Sequence, residues 1–274
     1  MTFDYDRAWR DTRRLFSDHR ALLLGIAGVF FFLPYAALLL ALPHFATMPP
    51  MGADMTTMSK AMQNLYADAW WAFALLLILL VYGTLSMLAL MKLRARPTVG
   101  EALRIGAGAL PSYLLALVIQ LLGIELVMLA MNLSAAATGV APVVFVVFGM
   151  SLFLQLYFFV RLAMTAPVMV IEGERKPISA LRRSWALTRE SGLRICGFVL
   201  LIVLAFIVLT LVASVLIGLL LALTGEPFAT IGDALLSAAI MTAAFILFAC
   251  VLAAIFAQLS RPAARHGAAH LGGD

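Results

Sequence analysis

Five residues between Arg161 and Ser184 have the types and the spacing to bind a phosphate or to form an ion pair. They are Arg161, Glu172, Arg182, Arg183 and Ser184. In one interpretation, Arg161 and Arg183 hold a lipid phosphate and the Ser184 hydroxyl donates a hydrogen bond to it. In the other, Glu172 pairs with Arg182 or Arg183, and this structural clamp fixes geometry more than it adds stability. The spacing leaves both interpretations open.

Three polar residues lie inside apolar runs and are therefore candidates for intramembrane chemistry. They are Gln120, Glu125 and Gln155. A charge at the bilayer centre costs about 3 kcal/mol, which favours a functional role for Glu125. At 1.5 Å per residue, however, Glu125 is expected about 22 Å from the cytoplasmic end of its span, where it can reach the outer interface. Gln120 and Gln155 are expected at comparable depths and are predicted to bond to each other.

A row of methionines alternates three and four residues apart. Its members are Met48, Met51, Met55, Met58 and Met62. Thioethers are ligands for Cu(I), so a metal-binding loop is one interpretation. The other is a short amphipathic helix after Pro49 and Pro50 that packs its flexible side chains against the protein or the membrane. Leu65 continues the row and favours packing.

The composition is that of an integral membrane protein. The chain is 64% hydrophobic and 12% charged, whereas roughly a quarter of the residues in soluble domains are charged. Long uncharged runs predict an all-α membrane protein with one domain over 1–260 and a flexible tail over 261–274. The first run is too long for a cleaved signal peptide and is expected to remain as a span. The six predicted spans are 21–43, 69–92, 108–131, 142–161, 195–223 and 234–258.

The basic residues predict the orientation. Eighteen of the nineteen Lys and Arg residues flank one side of the predicted spans, and Lys60 alone falls on the other. The positive-inside rule therefore predicts cytoplasmic N- and C-termini in a bacterial inner membrane. The basic face is expected to lie against phospholipids, chiefly anionic ones. Nucleic acid is not an expected partner, because the basic residues lie close to the ends of the spans.

Three cytoplasmic segments have the pattern of interfacial helices. The first, at 3–19, places Trp9 and Phe16 on one stripe. The second, at 97–104, has the capping-box spacing of Thr98 and Glu101, and the third begins at Pro177. Each contains Ala-Trp-Arg or Ala-Leu-Arg and precedes two spans. This arrangement suggests three parallel repeats of an interfacial helix and a hairpin.

Motifs of several enzyme classes are absent from the sequence. There is no His-Glu-x-x-His metalloprotease motif, no Gly-x-Ser-x-Gly elbow and no Walker A loop. The four His residues are scattered, so no metal centre or other cofactor is predicted. A non-enzymatic protein is therefore expected.

The sequence from Arg161 to Arg189 carries a resemblance to a known family. Arg161, Ala166-Pro167 to Glu172, Ala180 to Trp185, and Leu187-Thr188-Arg189 resemble the glycerophosphoryl diester phosphodiesterase membrane-domain family and related uncharacterised six-span inner-membrane proteins. In that family the membrane domain is sometimes fused to a soluble phosphodiesterase domain. The resemblance implies the membrane module, and no catalytic domain is expected here.

Two functions remain open at this point. The first is a lipid-interacting scaffold or envelope-homeostasis module, which the basic face favours. The alternative is a component of a transporter or permease for small molecules or lipids, which the suggested repeats and Glu125 favour.

Overall fold

The computed structural model describes residues 3–41, 54–92, 97–223, 225 and 228–260. This part of the chain is helical and contains no strand. Six helical segments in it are long and apolar enough to cross a membrane, which confirms the all-α fold with six transmembrane helices. These segments are Tyr5–Ala41, Ala67–Leu90, Val99–Ala137, Ala141–Glu172, Gly192–Leu221 and Phe228–Leu259.

The individual helices follow the uncharged runs of the sequence. They are α1 (Tyr5–Ala27), α2 (Leu33–Ala41), α3 (Met55–Leu90), α4 (Val99–Ala137), α5 (Ala141–Leu162), α6 (Thr165–Pro167), α7 (Pro177–Thr188), α8 (Gly192–Ala222) and α9 (Phe228–Leu259). A π-helical turn, Gly28–Phe32, joins α1 to α2, and a second, Val168–Glu172, follows α6. Pro34 lies just after the first of these turns. It cannot donate a backbone hydrogen bond, and a wider turn before it allows the helix to continue.

The first span is longer than predicted. The expected interfacial helix at 3–19 and the span at 21–43 form one continuous segment, Tyr5–Ala41, and residues 42 and 43 lie outside the described part. Neither Gly nor Pro separates His19 from Leu24, so nothing in the sequence interrupts the helix there. Its 37 residues span about 55 Å, whereas the hydrocarbon core is about 30 Å thick. The segment therefore extends beyond the hydrocarbon.

Helix α4 also combines two predicted elements. The capping box is confirmed, since Thr98 Oγ1 accepts from the Glu101 amide at 3.3 Å and Glu101 Oε2 accepts from the Thr98 amide at 2.8 Å. It begins the 39-residue α4, however, and not a separate interfacial helix. α4 continues past Asn132, whose side-chain Nδ2 donates to the Met128 carbonyl, and ends at Ala137. Gly139, with φ +66°, lies in the turn that follows.

Only the third predicted interfacial segment is a separate helix. α7 begins at Pro177, as predicted, and ends at Thr188. The other two segments are the first turns of long helices. The proposed threefold repeat is therefore not confirmed. The predicted spans at 142–161, 195–223 and 234–258 correspond to α5, α8 and α9, and that at 69–92 to the C-terminal part of α3.

The chain packs as two compact units, a division that the prediction of one domain over 1–260 did not anticipate. The first contains the described residues of Met1–His19, Leu85–Ala205 and Phe248–Asp274. The second contains those of Arg20–Thr84 and Phe206–Leu247.

In the second unit, α2 and α3 pack through Leu38, Ala72 and Leu76. Phe31, 1% exposed, lies in the same unit with its ring 4.8 Å from that of Phe245. Apolar packing therefore holds the described core of this unit together.

The methionines of the row that the structure describes belong to α3. Met48 and Met51 lie outside the described residues, as does the side chain of Met55. Met58 and Met62 are half-buried, and Leu65 is 2% exposed. The short helix expected after Pro49 and Pro50 is thus the beginning of a 36-residue helix. Burial of Leu65 supports packing, and Cu(I) binding stays a hypothesis.

Candidate functional site

Arg161 lies in the interior of the first unit at the end of α5. Arg161 is 5% exposed to solvent. The guanidinium donates from Nη1 to the Tyr157 hydroxyl at 2.8 Å and from Nη2 to the Trp185 carbonyl at 3.0 Å. Nε donates to the Thr188 hydroxyl at 3.3 Å, and Cζ lies 3.9 Å from the centre of the Trp185 indole ring. All three hydrogen-bond partners are neutral, so its positive charge is held by dipoles and by the indole face.

The backbone of Arg161 is also bound to α7. Because α5 ends at Leu162, the Arg161 carbonyl is among the last carbonyls of a helix, which have no intrahelical partner. Ser184, fully buried, donates its hydroxyl to this carbonyl at 2.8 Å. The Thr188 hydroxyl, also fully buried, lies 3.3 Å from the same oxygen. Side chains of α7 thereby cap α5 and fix the position of α7.

This arrangement favours the structural interpretation for Arg161 and Ser184. A phosphate held by Arg161, Arg183 and Ser184 would need the three side chains to face one opening. Instead, Arg161 is buried and the Ser184 hydroxyl is used within the protein. Arg183 has a 51% exposed side chain. The structure therefore does not bring the three together as a pocket.

Glu172 and Arg183 form an ion pair. Arg183 Nε and Nη2 donate to the two carboxylate oxygens of Glu172, each at 3.2 Å, while Arg182 is exposed. Glu172 ends the π-helical turn Val168–Glu172, and Gly173 follows with φ +83°, a conformation that favours glycine. The apolar residues Val168–Val170 before Glu172 are no more than 2% exposed.

Helix α7 buries its face of small residues against the protein. The sequence places Ile178, Leu181 and Trp185 on one apolar stripe, and of these Ile178 is 57% and Trp185 37% exposed. The buried face consists of Ala180, Ser184 and Thr188, one turn apart. Small residues allow close approach to α5, and hydroxyls satisfy its carbonyl.

The start of α7 is organised by a carboxylate. Glu174 Oε1 accepts a hydrogen bond from the Lys176 amide at 2.9 Å. This bond, with a further one from the Ser179 side chain, lowers the pKa of the Glu174 carboxyl below its ordinary value. The negative charge lies near the N-terminus of α7, where the helix dipole favours it.

The polar residues of the α4–α5 hairpin pair differently from the prediction. Gln155 Nε2 donates to Glu125 Oε1 at 2.8 Å, so the predicted Gln120–Gln155 bond is wrong. The tight turn near Gly139 sets the register and brings Glu125 opposite Gln155. Asn132 lies 3.4 Å from the Ser151 hydroxyl farther toward the turn. Gln120 is buried, at 7% exposed.

Sequence reasoning missed a polar cleft where α7 meets α8. It has a volume of about 470 Å³. Its lining residues are Tyr157, Arg189, Glu190, Ser191, Gly192, Leu193 and Arg194. Arg189 follows Leu181 and Trp185 at four-residue intervals, a spacing that the sequence shows. What the sequence does not show is that α7 ends at Thr188 and that α8 begins at Gly192.

An apolar groove lies on the Leu181 and Trp185 side of α7. Its volume is about 280 Å³. The lining residues are Ile119, Gln120, Gly123, Ile124, Val127, Phe158, Leu162, Leu181 and Trp185. Apart from the amide of Gln120, the side chains of this lining are apolar or aromatic. The groove therefore suits a hydrocarbon ligand.

One comparison with known proteins matches part of the chain to a family. Residues 137–261 match the membrane domain of glycerophosphoryl diester phosphodiesterase. The family suspected from the sequence is thereby confirmed over this range. The match with this membrane-domain family runs from the α4–α5 turn beyond the end of α9, and so includes Arg161, α7 and the cleft. It covers a membrane domain and not a catalytic domain.

Other comparisons give no further relatives. No curated protein and no solved structure matches the chain. In the part of the chain that the structure describes, no three His, Cys, Asp or Glu residues are grouped so that they could hold a metal ion.

Proposed function

We propose that this integral membrane protein is a non-enzymatic, lipid-interacting module of a bacterial inner membrane, with cytoplasmic termini and a role in scaffolding or envelope homeostasis. The observation that carries the proposal is helix α7. The clamp at Arg161 fixes this helix in place, while Ile178 and Trp185 remain exposed on its surface. Exposed Arg182 and Arg183 lie on the same helix. An anchored amphipathic helix of this kind suits the boundary between headgroups and hydrocarbon.

The charges support contact with anionic lipid. Of the basic residues in the described part, those of the second unit are Arg20 and Lys60, and the rest belong to the first unit. Each Lys or Arg near an anionic membrane surface contributes about 1 kcal/mol of attraction. The basic surface of the first unit should therefore retain anionic lipid during purification.

Native mass spectrometry of the purified chain tests this proposal. Replacing both Arg182 and Arg183 by Gln should reduce the co-purified anionic lipid relative to wild type. Lys60→Gln is the matched control, because the positive-inside prediction places it on the opposite side of the membrane. Equal anionic lipid in the double variant, the control and the wild type would contradict the proposal.

A transporter component is the second candidate, and the Glu125–Gln155 pair favours it. A carboxylate bonded to an amide between two transmembrane helices is the type of polar pair that lines solute paths. Glu125 lies outside the range matched by the membrane-domain family. Solute uptake by reconstituted protein that is lost in Glu125→Gln would support this candidate, and the absence of uptake in a broad screen would oppose it.

A further inference from the structure

We propose that the cleft between α7 and α8 binds the phosphate group of a membrane lipid. The inference rests on the lipid interaction proposed above and assigns it a specific site. Residues Tyr157, Arg189, Ser191, Gly192 and Arg194 form this site, which we call the α7–α8 cleft. None of them belongs to the phosphate pocket that the sequence suggested.

The first argument is charge. Arg189 and Arg194 line the cleft from opposite ends of the short α7–α8 connection. Glu190 lines it as well, so the formal charge of the lining side chains is +1. Arg161 lies next to the lining residue Gly192, because a Cβ added to Gly192 would be 3.5 Å from the Arg161 side chain. Since the hydrogen-bond partners of Arg161 are neutral, its buried charge adds to the positive potential of the cleft.

The second argument is a set of hydrogen-bond donors at the cleft. Ser191 is 5% exposed and lines the cleft. Its hydroxyl can donate a hydrogen bond to a ligand bound there.

Tyr157 and the first turn of α8 add further donors. The Tyr157 oxygen accepts from Arg161, which leaves its own O–H to donate. The first backbone N–H groups of the 31-residue α8 have no partners within the helix, and the Ile195 amide is bonded to the Ser191 carbonyl. Guanidinium groups, hydroxyls and helix-start amides together form a site that recognises phosphate oxygens.

The third argument assigns the phosphate to a lipid. Leu181, Trp185 and Arg189 lie at four-residue intervals along α7, and the first two line the apolar groove while the third lines the cleft. The indole of Trp185 lies 3.9 Å from Cζ of Arg161 and 5.7 Å from the Phe158 ring. Leu193, 67% exposed, adds an apolar surface at the cleft. A ligand with a phosphate and a hydrocarbon chain matches this pairing of polar and apolar surfaces.

The test is lipid binding by the full chain, delipidated in phosphate-free maltoside micelles. Phosphatidylglycerol and phosphatidylethanolamine are titrated, and native mass spectrometry counts the bound lipid. Replacing Arg189 and Arg194 by Gln should weaken binding about tenfold for each arginine, the usual effect of removing a charge-assisted hydrogen bond. Ser191→Ala should weaken binding several-fold without changing the melting temperature of the lipid-free protein. An unchanged lipid affinity in both variants would overturn the proposal.

Two further arms separate the alternatives. In the first, inorganic phosphate alone is added to the wild type and the melting temperature is measured. A rise equal to that caused by lipid, and lost when Arg189 and Arg194 are both replaced by Gln, would show a site for free phosphate. That result would overturn the lipid assignment. The Arg182→Gln, Arg183→Gln protein is titrated in parallel and should bind lipid in the cleft normally. If that protein loses anionic lipid while the cleft variants do not, the general lipid interaction stands and the cleft proposal fails.

Discussion

Arg161 illustrates how a charged residue can act as a structural centre inside a membrane protein. Its guanidinium, its carbonyl and the indole of Trp185 connect α5 to α7 through neutral partners. A planar guanidinium can donate in several fixed directions and stack on an aromatic ring simultaneously, and an ammonium group cannot. The identity of the residue therefore matters as much as its charge.

Replacement of Arg161 by Lys should destabilise the protein by about 1.5–3 kcal/mol, because the stacking and at least two hydrogen bonds of the buried cation are lost. Thermal or denaturant unfolding in detergent, followed by tryptophan fluorescence, measures the change. Arg182→Lys is the matched control, since Arg182 is exposed and should shift the stability by less than about 0.5 kcal/mol. Equal unfolding midpoints for the two variants would contradict the assigned role of Arg161.

The Glu172–Arg183 ion pair should contribute much less. Its side chains are 30% and 51% exposed, and solvent-exposed pairs contribute about 0–1 kcal/mol. Glu172→Gln should therefore lower the free energy of unfolding by less than about 1 kcal/mol, and the loss should be smaller at high salt. A larger effect than that of Arg161→Lys, measured in the same unfolding assay, would reverse the ranking of the two contacts.

At the scale of elements, close packing in the second unit depends on a glycine. A Cβ added at Gly83 of α3 would lie 2.8 Å from the Phe30 Cβ and 2.7 Å from the buried Phe31 ring. These distances are too short for carbon atoms in contact, so the π-helical turn that carries both phenylalanines would have to move.

Gly83→Ala should accordingly lower stability by about 1–3 kcal/mol, the usual effect of overpacking. Gly123→Ala provides the control, because a Cβ at Gly123 in α4 would meet no atom within 4 Å and should slightly favour the helix. The melting temperatures of the two variants are compared in detergent. A Gly83→Ala protein as stable as Gly123→Ala would show that the contact is not limiting.

The start of α3 should respond to pH. The Asp54 carboxylate caps this helix by accepting from the Thr56 hydroxyl and from the Thr57 amide, the latter at 3.1 Å. These bonds, chiefly that from Thr56, lower the pKa of Asp54 from 3.8 to about 2. Because the folded-state pKa is lowered, the stabilisation is complete above pH 3.8 and is lost as the pH falls through about 2.

Hydrogen exchange of the Thr57 and Met58 amides, corrected for the intrinsic pH dependence, can follow this loss. Protection should be constant down to about pH 4 and should fall below that value. Asp54→Ala should show reduced protection at all pH values, since it has no cap. Protection in the wild type that is unchanged at pH 2 would contradict the role of Asp54.

At the scale of the whole molecule, the orientation in the membrane is the main open prediction. Single cysteines at Ser59 and Ser179, in a background where the buried Cys196 and Cys250 are replaced by Ala, report it directly. An impermeant thiol reagent added to intact cells should label the cysteine at 59 and not the one at 179. Permeabilised cells, in which both should react, serve as the control. Labelling at 179 in intact cells would invert the proposed topology.

The sequence by itself determined the membrane class, the six spans and two helix starts. Hydrophobic runs of sufficient length report the spans because lipid cannot satisfy backbone polar groups and only complete helices can cross it. The Thr98–Glu101 capping box and Pro177 predicted helix starts because their chemistry involves neighbouring residues alone.

Only the tertiary structure decided which residues come together. The hairpin register paired Gln155 with Glu125 instead of Gln120, and the packing of α7 on α5 buried Ser184 and Thr188 instead of the apolar stripe. A helix in a membrane protein can direct its apolar side toward lipid and its small polar side toward the protein, so hydrophobicity does not identify the buried face. The cleft at Arg189 and Arg194 exists because α7 ends at Thr188 and α8 begins at Gly192. The packing of the helices sets these two ends.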